Sequence, residues 1–163
     1  HDAALGVHRW WARIGSGGAL MALTLAFYRG GLQRMTPTTW AARAADEILL
    51  IENGTGWTFD DTHTSLTAMT LGTTELTAAG YARKALVPGT PAFSAGRWTL
   101  PLGAVVWTSL GTAEGVAAAV GYEAGVDDAN SVPLWVLYDP APAAIATLDG
   151  TNLTVTLDIG VDS

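Results

Sequence analysis

The chain has 163 residues, 49% hydrophobic and 14% charged, which fits one domain with a sizeable core and argues against a disordered polymer. Fifteen acidic against eight basic residues give a net charge of −7, the wrong sign for displacing counterions from nucleic-acid phosphates. The absence of cysteine removes disulfides, thiolate metal sites and a cysteine nucleophile.

Residues 1–20 differ in character from the rest of the chain. They carry the cationic and aromatic cluster His8-Arg9-Trp10-Trp11-Ala12-Arg13 and then the linker-like Gly15-Ser16-Gly17-Gly18, with Met21 placed to start a domain of its own. The expected organisation is an arm over 1–20, natural or fused, and one domain over 21–163. Arg9 and Arg13 imitate a secretory signal, but no small-x-small cleavage site follows Leu25, so none is expected. If the arm is ordered, a neighbouring chain must bury it. Trp10 and Trp11 are its only side chains large enough to offset the cost of ordering, and Arg9 and Arg13 would pair with acids on that partner.

From 22 to 45 the pattern reads as short helices. Leu23, Phe27 and Leu32 share a helical face, Gly30-Gly31 interrupts it, and Thr36-Pro37-Thr38 stops and restarts it. Beyond Asp46 the text is β-like. The buried run Ile48-Leu49-Leu50-Ile51 ends at the turn dipeptide Asn53-Gly54, and Gly-punctuated, Thr-rich segments recur every ten residues or so. Strands are predicted at 81–87, 104–108, 115–122, 132–138 and 153–159, the last with Leu, Val, Leu and Ile on one face and Thr, Thr and Asp on the other. The connections are too short for parallel crossovers, so the fold class is mainly β: an antiparallel β-sandwich or jelly-roll-like domain preceded by short helical segments. The longest uncharged apolar stretches, 14–28 and 98–113, fall short of the roughly 20 residues of a membrane-spanning helix, and no membrane partner is expected.

Residues able to carry chemistry are few. His1 could chelate copper only with a second histidine on a rigid strand, and neither His8 nor His63 is placed for it. Asp60-Asp61-Thr62-His63 reads as a capped turn, and Asp127-Asp128-Ala129-Asn130 as a solvated loop lacking the bidentate glutamate that closes a calcium site. Nucleophile-elbow and phosphate-loop patterns are absent. No cofactor, no metal and no enzymatic activity are expected. Trp57, Trp98, Trp107 and Trp135 are the richest remaining signal: exposed they would stack on sugar rings, buried they would fill a sandwich, and Trp107 within Val105-Val106-Trp107-Thr108 is placed in a core or interface.

Residues 74–86 read TELTAAGYARKAL. This stretch resembles a recurrent segment of small structural proteins of tailed bacteriophages, roughly E-L-x-x-x-G-Y-A-R-x-x-L. The resemblance extends to Ile48-Leu49-Leu50-Ile51, to Asp61-Thr62-His63, to a phenylalanine and then a W-T-x-L strand over Phe93 to Leu110, to G-x-x-x-A-V-x-Y over 115–122, and to Pro133-Leu134, Tyr138-Asp139, Gly150 and 153–160. It covers about 23–161 in order and leaves 1–20 outside. The matching motif positions are Glu75, Leu76, Gly80, Tyr81, Ala82, Arg83 and Trp107. It implies a non-enzymatic virion protein, a head-decoration or head-fibre-base component on the head exterior, decorating or stabilising the capsid through the major capsid protein or other virion proteins; the low charge and many large apolar residues of so small a domain predict a homo-oligomer as well. A tail or baseplate component and a carbohydrate-binding module using Trp57 or Trp98 are the alternatives. Gly80 reads as a turn glycine before an aromatic anchor, Tyr81, and Arg83 as pairing internally or with an acidic neighbour.

Overall fold

The unbroken apolar run at 48–51 demands burial on both faces of one strand, and the architecture is built around that demand. The structure, a computed structural model, describes residues 10–14, 23–34, 43, 45–111, 115–140, 144–146, 148, 150 and 152–162; for 10–14, 97, 100 and 156–162 it describes the backbone. Two antiparallel sheets are formed among these residues. The first has the order β1 (Trp10–Ile14), β9 (Leu153–Asp162), β6 (Arg97–Trp107), β5 (Ala92–Ser94). The second has the order β2 (Thr24–Phe27), β8 (Val132–Tyr138), β7 (Val116–Glu123), β3 (Asp46–Glu52), β4 (Lys84–Ala85). The expected mainly β, antiparallel class is what is found.

Three layers result. Ile48, Leu50, Trp135 and Leu137 of the second sheet meet Leu102, Val105, Trp107, Leu153 and Val155 of the first in one hydrophobic core. On the other face of the second sheet, Leu49, Ile51, Ala118, Val120, Tyr122 and Val136 are covered by Tyr28, Leu66, Met69 and Leu71. The cover is held by the Leu66 amide, which donates to the carbonyls of Asp128 and Ser131, each at 3.1 Å. All four side chains of the 48–51 run are fully buried, each contributing about 1.5–3 kcal/mol of apolar transfer.

Strands β7, β8 and β9 fall where the alternation places them. Three expectations are corrected. Among the described residues of 22–45, the expected helical pattern gives way to a strand at Thr24–Phe27, paired with β8, followed by a single helical turn, α1 (Arg29–Leu32). The open backbone of the β8 edge outweighs a weak helical propensity, and Gly31 lies so close to the Leu134 carbonyl that a β-carbon there would overlap it. The restart at Thr36-Pro37-Thr38 lies outside the described residues. Of the strand expected at 81–87, only β4 forms, because Tyr81 and Arg83 are held by side-chain bonds instead of a ladder. The strand expected at 104–108 is longer, running from Arg97 through Pro101 with an irregularity between Leu102 and Val105. A second short helix, α2 (Leu71–Thr74), follows a 3₁₀ turn.

Gly121 faces Trp135 across the β7–β8 pair, and a β-carbon on it would lie inside the indole ring. Gly121→Ala is expected to displace Trp135 and cost about 1–3 kcal/mol in denaturant unfolding. Unchanged stability would contradict this packing.

Candidate functional site

The motif residues of 75–83 and Trp107 converge on one structure. Glu75 forms a bridge with Ile51, and the Leu76 amide donates to the Leu50 carbonyl at 2.9 Å, so the segment starts on β3. Gly80, at φ +83°, supplies the left-handed turn that brings Tyr81 back over the same strand. The Tyr81 hydroxyl donates to Glu75 Oε1 at 2.7 Å and accepts the Leu50 amide at 3.1 Å. The Ala82 carbonyl accepts Trp107 Nε1 at 2.7 Å, and the Ala79 carbonyl accepts the Gly111 amide at 2.8 Å, which ties the segment to the end of β6 in the first sheet.

Arg83 is the centre. Its Nε and Nη2 donate to the two oxygens of Glu75, each at 2.8 Å, and its Nη1 and Nη2 donate to Asp128 at 2.6 and 3.0 Å. The guanidinium also lies 5.6 Å from the centre of the Tyr122 ring, whose hydroxyl donates to Glu47. These bonds, first to Glu75 and then to Asp128, hold the guanidinium protonated far above its ordinary range. Burial pushes the Tyr81 phenol up as well. Of the two roles open to Arg83, the structure shows internal pairing.

A second knot sits at the far end of β3. Arg43, buried, donates to both oxygens of Asp46 at 2.7 and 3.0 Å, to Glu123 at 3.1 Å and to the Arg34 carbonyl at 2.8 Å. No sequence pattern marks it. The 127–130 segment is a largely exposed loop, as expected, but Asp128 within it is also Arg83's partner, 45 positions away in sequence. The neighbouring Asp127 caps its own turn through Asn130, and Asp60 accepts the Thr62 amide and hydroxyl at 2.9 and 2.6 Å. Among the described residues no trio of acidic or histidine side chains could hold a metal ion.

The tryptophans divide as their two alternatives require. Trp107 and Trp135 are buried, whereas Trp57 and Trp98 are partly exposed. Trp98 lies in the β5–β6 hairpin against Phe93, ring centres 5.2 Å apart. The hairpin closes through Ala95-Gly96, both at positive φ (51° and 77°), the geometry of a two-residue turn. Phe93 is 54% exposed and Val87, on the segment bonded alongside β6, is 71% exposed. Of the arm candidates, Trp10, Trp11 and Arg13 lie in β1, whose backbone pairs with β9 of the same chain; Arg9 is outside the described residues. No protein-family model, curated protein or solved structure matches the chain.

The hydrogen bonds from Arg83 hold the Asp128 carboxyl below its ordinary range. Its contribution to stability is therefore full above the unfolded pKa of about 3.9 and is lost as pH falls through the lower folded value. Asp128→Asn is expected to be less stable than the wild type at neutral pH, with the gap closing in strong acid. A gap that does not change with pH would contradict this assignment.

Proposed function

We propose that the chain is a non-enzymatic structural protein of the virion, of the head-decoration kind that its motif series resembles, and that it docks through the β5–β6 hairpin. The observation that carries the reading is the charge-poor stretch 85–113, in which Arg97 is the sole charged residue and which presents Val87, Phe93 and Trp98 at the surface. Depletion of charge around exposed aromatic groups is the composition of a protein interface core. The partner is a protein surface with an apolar patch, on the capsid lattice and on neighbouring copies. Four of the acidic side chains are committed to ion pairs within the fold: Glu75 and Asp128 with Arg83, and Asp46 and Glu123 with Arg43.

The double variant Val87→Ser/Phe93→Ser removes the patch without touching either ionic knot. By sedimentation velocity the wild type is expected to associate and to cosediment with purified phage heads, and the variant to do neither while keeping its circular dichroism spectrum. A wild type that stays monomeric at high concentration and ignores heads would overturn the proposal.

A further inference from the structure

We propose that the cleft beside Trp57 is a binding site for a neutral saccharide, independent of the hairpin and carried by the other sheet. The chain leaves β3 through Asn53-Gly54, with Gly54 at φ +82° and Gly56 at φ +76°, and the Asn53 amide fixes the turn by donating to the Gly115 carbonyl at 3.0 Å. The returning strand of loop lays Trp57 edge-on to Tyr138 at 5.9 Å and Phe59 against the same ring at 5.6 Å. With Ala117 and Pro140 these rings line a cleft of about 620 Å³, within the range of about 300–1,000 Å³ common for small-molecule sites.

The rim identifies the ligand. Among the described residues, the Asn53 side-chain amide, the Trp57 indole N–H, the Thr58 hydroxyl and the Tyr138 hydroxyl have no hydrogen-bond partner, although all four residues line the cleft. The contrast with the ionic knots, where donors and acceptors are matched, is sharp. Four uncharged groups beside an aromatic floor fit a ring with one apolar C–H face and hydroxyls that both donate and accept, which describes a pyranose. An anionic ligand is disfavoured: among the described residues Glu52 and Asp139 are in the lining, and no Lys or Arg is.

The test is a glycan array of neutral hexose, deoxyhexose and N-acetylhexosamine termini, followed by tryptophan-fluorescence titration with the free oligosaccharide of any series bound. A free nucleoside series serves as the competing flat ligand. Trp57→Ala is expected to weaken binding at least tenfold, and Asn53→Ala about threefold to tenfold with thermal unfolding unchanged, since the Asn53 side-chain amide, unlike its backbone N–H, makes no bond within the described chain. An array without saturable binding, nucleosides binding in place of sugars, or wild-type affinity in both variants would each overturn the site. None of these outcomes bears on docking through Val87 and Phe93.

Discussion

The structure depends on one nine-residue segment, 75–83, that is bonded to both sheets at once. Its start lies on β3, its tyrosine hydroxyl takes the Leu50 amide, its Ala82 carbonyl takes the indole of Trp107 from the first sheet, and its arginine reaches Asp128 in the β7–β8 loop. Face-to-face sheet packing is otherwise non-directional, because apolar burial does not fix register between layers. The polar bonds of this segment supply the missing specification. Removing a partner would leave a part-buried donor or acceptor unmatched, and where water does not reach that group the cost exceeds the net worth of the bond itself.

That constraint also decides which residues remain for function. Arginine and acid side chains close to the core are matched to one another in two knots, so the uncommitted chemistry lies at the periphery. It has two forms: an apolar overhang at the β5–β6 hairpin and an aromatic cleft with uncharged polar groups at the end of β8. The two lie on different sheets. Contact through one sheet and ligand binding on the other would each leave the other undisturbed.

Much of the fold is legible in the sequence because its strands carry their own signals. Val132–Tyr138 has its predicted bounds, the Asn53-Gly54 turn comes directly after β3, and the alternation of 115–122 outweighs its alanines, which favour a helix. The failures have physical causes. Thr24–Phe27 is a strand because β8 offers it an edge, a fact with no local trace. The β5–β6 turn uses Ala95 at positive φ, where turn chemistry would lead one to seek Asn or Gly. At the sites, the motif residues are visible but their partners are not: Asp128 stands 45 positions from Arg83, and Glu123 stands 80 from Arg43. Trp57 is visible as a tryptophan, while its unmatched neighbours at 138 and 53 are brought to it only by the sheet.

Segment 75–83 and strand β3 are expected to form one cooperative unit with the sandwich. Native-state hydrogen exchange tests it most directly, through the amides of Leu50 and Leu76, which bond to the Tyr81 hydroxyl and the Leu50 carbonyl. Both are expected to exchange only through global unfolding, with the same denaturant dependence as the central amides of β7 and β8. Exchange of these two amides by local opening, while β7 and β8 stay protected, would contradict it.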